Sequence, residues 1–291
     1  MNTTLWLVRR EFWENRAIWT IPTAIGGLMI LAALFGRVDL MSDVSQVPSR
    51  AVGQAFLAAV AGTFFVVMSI YSTWYLLDCL YADRKDRSVL FWKSMPISDT
   101  TTVLSKLVTA LAVIPAVYFA AADLTTLLMA FIVSVRASSF QGVGAALWHA
   151  GLWLQLQALW LYLIVTTAIW YLPIAAYLLV ISSWARRAVM LWSILPPLAL
   201  ILGERWFFGT QVIAHQLGER LFAFPQMAFK PNLGSWVTTV IDHDTMRMPA
   251  NIWSFFDIPG FLSSPETWAG AAAGVALIIC AIQLRTRRTE I

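Results

Sequence analysis

Six long apolar blocks constrain the fold of this chain more than any other feature of its sequence. A helix needs about 20 mostly apolar residues to cross a hydrocarbon core about 30 Å thick, and only the fifth block is marginal in length. The blocks comprise residues 17–36, 52–77, 107–135, 147–184, 188–203 and 267–284. Because only 12% of the 291 residues are charged, the composition excludes an ordinary water-soluble enzyme. We therefore predict an all-α, polytopic membrane protein with six transmembrane helices.

The fourth block, residues 147–184, is too long for one crossing along the membrane normal. No turn signal divides it, so we predict a single tilted helix that extends beyond the lipid and is kinked at Pro173. The fifth block contains the pair Pro196-Pro197, which we expect to disturb its regularity.

The distribution of Lys and Arg predicts the orientation. If the N-terminus is cytoplasmic, 13 of the 20 basic residues fall on the cytoplasmic side, as the positive-inside rule requires. We therefore expect both termini in the cytoplasm and the chain in the inner (cytoplasmic) membrane. The net charge is +4, but the basic residues form small clusters beside apolar blocks, so nucleic acid is not an expected partner.

Residues 1–16 precede the first block and have an amphipathic pattern. Leu5, Val8 and Phe12 recur at helical spacing, while Arg10 and Glu14 lie on another face. This pattern predicts an interfacial helix on the cytoplasmic leaflet. A frayed tail whose arginines only orient the chain is the alternative.

The segment between the second and third blocks begins at Asp83 and reads DRKDRSVLFWKSMPISDTTTVLSK. Its start is densely charged, its centre is apolar, and Pro96 ends the helical pattern, with Ser98 or Asp99 as an N-cap for the next helix. We predict a short amphipathic helix parallel to the membrane on its cytoplasmic side. Orientation by charge, combined with aromatic anchoring at the interface, explains the same composition equally well.

Residues 204–266 contain eleven Trp and Phe residues, more than a soluble surface tolerates. We predict an external cap with two short helices, over 211–222 and 252–262, that pack on the spans or at the interface. In the first helix the apolar side chains are expected to face inward, with Glu219 and Arg220 facing water.

Motifs for catalysis or cofactor binding are absent from the sequence. No Walker A, HExxH, GxSxG or GxGxxG pattern occurs, and the three histidines are far apart. Cys79 and Cys280 show no metal-binding or redox spacing. We therefore expect no catalytic, cofactor-binding or metal-binding residue, and the chain is not predicted to be an enzyme.

Asp123 is the only carboxylate inside the third block. A charge at such a position is costly, and residues of this kind commonly line a pathway or an interface between subunits. The alternative is a structural hydrogen bond to a neighbouring helix, for which Gln155 and Gln157 in the fourth block are candidates.

Three features of the chain together resemble those of one protein family. They are residues 7–16 (LVRREFWENR), the segment 83–106, and six spans with both ends on one side. The chain is similar to the transmembrane permease subunits of ABC-2-type ATP-binding-cassette exporters. In that family the first stretch is an amphipathic elbow helix, the second seats on the ATPase, and short external helices precede the last span. The resemblance implies a homodimer, or a heterodimer with a similar permease, bound to two copies of a separate subunit that binds the ATP.

The resemblance also implies which residues couple the permease to the ATP-binding subunit. These coupling residues are Asp83, Arg84, Asp86, Arg87, Leu90, Phe91, Trp92 and Pro96. The apolar members would fill a groove on the ATPase, and the charged members would make rim contacts that set its orientation. The whole chain is then a single transmembrane domain in which residues 83–99 form the coupling loop.

Two other classes of function are considered. A proton-coupled secondary transporter would use Asp123, but it predicts further intramembrane polar residues and a repeat between the two halves, which the sequence does not show. A membrane-embedded enzyme would need a cluster of acid-base or metal-binding residues at one depth. The substrate is not indicated, because exporters of lipids, peptides, drugs, polysaccharides and ions share this architecture.

Overall fold

The computed structural model describes residues 3–36, 49–85, 98–136, 147–148, 150–230 and 256–287. The described residues are helical apart from turns and one isolated antiparallel bridge between Phe229 and Phe256. In chain order the helices are α1 (Thr3–Glu14), α2 (Ala17–Phe35), α3 (Ser49–Lys85), α4 (Asp99–Val108), α5 (Ile114–Arg136), α6 (Ala150–Trp170), α7 (Leu172–Trp184), α8 (Val189–Phe207), α9 (Val212–Phe222), α10 (Phe224–Ala228), α11 (Ile258–Ser263) and α12 (Pro265–Arg287). A π-helical turn, Thr109–Val113, joins α4 to α5.

Six helical stretches are long and apolar enough to cross a membrane. They are Ala17–Phe35, Phe56–Lys85, Asp99–Arg136, Trp153–Trp170, Val189–Phe207 and Pro265–Arg287. The predicted all-helical fold with six candidate spans is therefore confirmed, and the six apolar helices support a multi-pass membrane protein. The apolar helix α7 is shorter and continues the course of α6.

The helix of the fourth block is interrupted where the sequence predicts a kink. Tyr171 separates α6 from α7 and has backbone angles φ −88° and ψ 2°. Pro173 lies in the first turn of α7. The N–H groups of a first turn have no partner within the helix, so the N–H that proline lacks costs no hydrogen bond there. In contrast, α8 continues as one helix through Pro196 and Pro197.

The helix α12 packs along α7, and Gly274 on α12 permits this close contact. A Cβ atom at Gly274 would lie 2.9 Å from the side chain of Leu172 and 3.1 Å from the nitrogen of Pro173. A larger residue would therefore push α12 away from the start of α7, as expected for small residues at a helix contact in a membrane.

The helix α3 contacts three other apolar helices, α5, α7 and α8, and α2 lies along α5. Phe64, Ile114 and Tyr118 are fully buried in this core. Large apolar side chains cover the outward faces of the spans, most densely on α8. This distribution suits a surface that contacts lipid, since lipid tails are as apolar as the side chains themselves.

Two regions of the bundle are named after residues that lie there. The Lys106 end contains α1, the start of α4 and the last turn of α12, and the Arg220 end contains α9 and the first turn of α12. Glu266 and Arg285 mark the two ends on α12 and are separated by about 28 Å of helix. This length is close to the thickness of a hydrocarbon core.

Short helices also occur where the sequence predicts them outside the spans. The helix α1 occupies most of residues 1–16, and α9 corresponds to the predicted helix 211–222. The helix α11 covers only the second part of the predicted helix 252–262, and residues 252–255 lie outside the described residues.

Candidate functional site

A buried ionic cluster joins four helices at the Lys106 end. The Lys106 ammonium nitrogen on α4 lies 2.9 Å from Oε1 of Glu11 on α1 and 3.2 Å from Oδ1 of Asp83 on α3. Arg285 on α12 places Nη1 3.2 Å from Asp83 Oδ2 and Nε 3.1 Å from Asp99 Oδ1. The Asp83 carboxylate is therefore shared between two cations. These five residues are called the ionic cluster below.

The ionic cluster is shielded from solvent. Glu11 and Lys106 are 1% and 2% exposed, and Asp83 and Arg285 are 9% exposed. Taking isolated charges out of water costs several kcal/mol each, so such burial is tolerable only where the charges are paired and hydrogen-bonded. The hydroxyl of Tyr75 adds a bond by donating to Glu11 Oε2 at 2.8 Å.

Opposing effects act on the carboxyl group of Glu11. Burial alone would raise its pKa, but the charge and hydrogen bond of Lys106, with help from Tyr75 and Arg10, lower the pKa below its ordinary value. Glu11 is therefore ionised at neutral pH. Its position follows from the pattern of α1, because Leu7 and Glu11 lie four residues apart and are both buried.

The ionic cluster holds both ends of the predicted coupling loop. Asp83 lies near the end of α3 and Asp99 begins α4, while residues 86–97 between them lie outside the described residues. Arg285 bonds to both of these carboxylates, so the last span fixes both ends of the loop. Lys106 extends the connection to α1.

Arg84 attaches the end of α3 to the end of α7. Its Nη2 donates to the carbonyl oxygens of Ser182 at 2.5 Å and Ala185 at 2.8 Å. The hydroxyl oxygen of Ser182 accepts hydrogen bonds from the N–H groups of Leu80 and Tyr81, each at 3.1 Å. A cation at this position satisfies carbonyl groups that have no partner within their own helix.

Two of the predicted coupling residues are described. Asp83 is buried in the ionic cluster and Arg84 bonds to α7, so both have partners within the chain. The other predicted coupling residues lie outside the described residues: Asp86, Arg87, Leu90, Phe91, Trp92 and Pro96.

A cavity of about 1050 Å³ lies between α3, α8, α9, α12 and the junction of α6 with α7. This volume is at the upper end of the range usual for ligand-binding pockets. The wall is mostly apolar, with a strip of hydroxyl groups on α3 from Ser69, Ser72 and Thr73. The π-helical turn contributes Ala110, whose carbonyl oxygen accepts a hydrogen bond from Ser72 Oγ at 3.4 Å. Such turns are frequent at functional sites.

The helix α9 covers the cavity at the Arg220 end. The guanidinium carbon of Arg220 lies 4.2 Å from the ring centroid of Trp170, and its N–H groups donate to the carbonyl oxygens of Trp170 and Glu266. Trp170 Nε1 donates in return to the Arg220 carbonyl oxygen at 2.9 Å. The Tyr171 hydroxyl donates to the carbonyl oxygen of Leu221 at 3.2 Å. These contacts attach α9 to the junction of α6 with α7 and to α12.

The structure corrects the predicted orientation of α9. Arg220 is half-buried and directed inward rather than toward water, whereas Val212 is 56% exposed. The reason is that the Trp170 ring and two carbonyl groups satisfy the guanidinium, and Gly270 leaves space for it. A Cβ atom at Gly270 would overlap with the Arg220 side chain. Burial lowers the pKa of Arg220 from its ordinary value.

Asp123 lies at a contact between α5 and α6. Its Oδ1 accepts a hydrogen bond from Nε2 of Gln157 at 2.9 Å, and Gln157 is one of the two predicted partners. The side-chain oxygen of Gln155 is buried without a partner among the described residues. Asp123 does not line the cavity, and about 25 Å of helix separates it from Lys106.

Comparisons with known proteins do not identify a relative. No family model, no characterised protein and no solved structure matches this chain. Within the described residues, no group of three or more His, Cys, Asp and Glu side chains could hold a metal ion. The function is therefore inferred from the residues of the chain and their geometry.

Proposed function

We propose that this chain is the transmembrane permease subunit of an ATP-binding-cassette exporter and is driven by a separate ATP-binding subunit. One observation supports the proposal most strongly: the ionic cluster links the two segments on which the family resemblance rests. Glu11 belongs to the first segment, and Asp83, Asp99 and Lys106 belong to the second. Segments that are far apart in sequence therefore act as one unit at the Lys106 end.

In this proposal residues 86–97 dock on the ATP-binding subunit, and the ionic cluster transmits their movement. A shift of the docked segment moves Asp83 and Asp99, and so displaces Arg285 at the end of α12. Because α3 and α12 both line the cavity, movement of their ends changes the shape of the pathway. The partner binds and hydrolyses the ATP, and this chain supplies the pathway.

The Lys106 end faces the cytoplasm in this proposal. Both termini then lie in the cytoplasm, and α9 to α11 form an external cap. The exposed side chains of Leu5, Trp6 and Trp13 on α1 suit the interfacial layer of the inner leaflet. The complete assembly contains a second permease, either another copy or a similar chain, in the inner membrane.

A proton-coupled carrier that uses Asp123 receives less support from the geometry. The coupling residue of such a carrier is expected to face the substrate pathway. Asp123 is bonded to Gln157 and lies outside the cavity wall.

Capture of the ATP-binding subunit tests the proposal. The full-length chain, purified with a tag from its native membranes, should retain a soluble partner that contains a Walker A motif. The variant with Phe91→Ala and Trp92→Ala should lose this partner but keep its helical content. The matched control, Phe207→Ala with Phe208→Ala, removes two aromatic residues that are 81% and 78% exposed at the other end, and it should retain the partner.

The outcomes test the docking assignment and the proposed function separately. Full retention of the partner by the Phe91 and Trp92 variant would contradict the docking assignment. A wild-type preparation without any Walker A partner would contradict the proposed function itself.

A further inference from the structure

Among the residues that the structure describes, the cavity wall has charged groups at one end only. These are Glu219, Arg220 and Glu266, which all lie at the Arg220 end. The rest of the wall is apolar except for amide, hydroxyl and phenol groups. An ion or a strongly hydrated solute in that part would lose its hydration without adequate replacement. A molecule with a long apolar part and one charged head matches this distribution.

The hydroxyl groups of the wall add few hydrogen-bond donors. Ser69 Oγ donates to the carbonyl oxygen of Phe65 at 2.8 Å, and Thr73 Oγ1 donates to that of Ser69 at 2.9 Å. Ser193 Oγ donates to the carbonyl oxygen of Met190 at 2.7 Å. Their protons are therefore directed to the backbone. A sugar or a hydrophilic peptide, which needs many donors and acceptors, is poorly matched to this wall.

Arg220 determines the sign of charge that the head should carry. Its contacts are the Trp170 ring and two neutral carbonyl groups, and the Glu266 carboxylate attracts its charge without forming an ion pair within 4 Å among the described residues. Glu219 instead lies 3.1 Å from Nε2 of His215 in an exposed pair, and Glu266 is exposed at the start of α12. The inward-directed charge is therefore the guanidinium, which can form two parallel hydrogen bonds with an acidic group.

We propose that the cavity binds an amphiphile with a long apolar chain and one acidic head group, and that the head pairs with Arg220. This inference rests on the proposed function only in treating the cavity as the substrate pathway.

Photolabelling tests this proposal directly. Three probes share one long alkyl chain with a terminal diazirine and differ in the head, which is a sulfonate, an alcohol or a trimethylammonium group. Each is added to the full-length chain in phosphatidylcholine nanodiscs, and the labelled residues are mapped by mass spectrometry. We expect the sulfonate probe to label the cavity wall on α3 and α8 saturably, with displacement by an unlabelled alkyl sulfonate. The other two probes should label the wall more weakly.

Two adjacent residues of α8 provide a matched pair of variants. Ile201 lines the cavity, whereas Leu200 faces away from it and is 59% exposed. Ile201→Trp should narrow the cavity and weaken saturable labelling, and Leu200→Trp should leave the labelling unchanged.

Variants of Arg220 test the head group separately. Arg220→Gln should weaken sulfonate binding about tenfold more than alcohol binding, because only the sulfonate loses a charge-assisted hydrogen bond, whereas loosening of α9 by the same change affects both probes. Arg220→Lys keeps the charge and should retain part of the preference for the sulfonate.

Three results would overturn the proposal. They are labelling confined to lipid-facing positions such as Leu195 and Leu202, saturable labelling that Ile201→Trp does not weaken, and equal labelling of the wall by all three heads. The assay contains no nucleotide and no partner subunit. A negative labelling result therefore contradicts only the proposed ligand, whatever the capture experiment shows. A negative capture result contradicts only the proposed function, whatever the labelling shows.

Discussion

Lys106 and Glu11 form a buried ion pair that connects α4 to α1 across 95 positions of sequence, with 2.9 Å between the ammonium nitrogen and a carboxylate oxygen. The same ammonium group bonds to Asp83 at 3.2 Å. If one member of a buried ion pair is removed, the other charge remains buried without compensation. This change costs more free energy than removing both members of the pair.

Replacement of Lys106 tests this coupling. Lys106→Met should lower the free energy of unfolding by about 3 kcal/mol, the lower end of the cost of breaking a buried pair, because Glu11 keeps Arg10 and Asp83 keeps Arg285. Adding Glu11→Gln should recover part of this loss, as measured by chemical denaturation of the four members of the double-mutant cycle in detergent. Simple additivity of the two changes would show that the residues do not interact.

The pKa of Glu11 predicts how stability depends on pH. Because this pKa is lowered in the folded state, the contribution of Glu11 is fully present above the ordinary carboxyl pKa and is lost as pH falls through the lower, folded value. Thermal unfolding of the wild type should therefore become easier below about pH 4.5, and Glu11→Gln should reduce this dependence.

Glu14 provides the control for this experiment. Burial raises the pKa of Glu14, so its ionisation opposes folding and its effect has the opposite sign. Glu14→Gln should not reduce the loss of stability in acid. Equal behaviour of the two variants would contradict the assignment to the ionic cluster.

Gly270 controls how α9 is attached. Gly270→Ala should displace Arg220 from its position beside Trp170, at an overpacking cost of about 1–3 kcal/mol. The amide hydrogens of α9 should then exchange faster in a hydrogen-exchange experiment. Gly203→Ala is the control, because a Cβ atom there meets no other atom within 4 Å. Unchanged exchange in Gly270→Ala would contradict the role given to Arg220.

The hydrogen bond between Asp123 and Gln157 predicts a structural role for Asp123. Asp123→Asn keeps an acceptor and should retain both the stability and the transport-coupled ATPase activity of the wild type. Asp123→Leu should cost about 1–3 kcal/mol, because the amide of Gln157 loses its partner. A folded Asp123→Asn variant with altered coupling would instead support a pathway role.

The spans could be predicted from sequence because each depends on the composition of one continuous segment. The same holds for α1 and for the interruption at Tyr171, two residues before Pro173. A lone carboxylate in an apolar block also requires a partner, and of the two glutamines that the sequence offers for Asp123 the structure shows Gln157. Each of these features follows from a local pattern or from one unusual residue.

The ionic cluster could not be predicted, because its members are far apart in sequence and resemble other residues. In the sequence, Lys106 and Arg285 resemble ordinary basic residues that flank spans. Arg285 also lies 202 positions from its partner Asp83, so no local pattern indicates their pairing. One signal was present: Glu11 lies on the same face of α1 as Leu7, and a carboxylate on a buried face needs a cation. The orientation of Arg220 depends on Trp170, 50 positions away, and local amphipathicity does not reveal it.

We propose that the ionic cluster couples a docked ATP-binding subunit to the cavity. Cysteine labelling of the purified complex in nanodiscs measures this coupling. The labelled variant carries Ser69→Cys as its single cysteine, with Cys79 and Cys280 replaced by Ala. The account predicts that ATP changes the labelling rate, and that Arg285→Gln abolishes this change while the ATP-binding subunit remains bound. A labelling rate that does not respond to ATP, or that responds equally in Arg285→Gln, would contradict it.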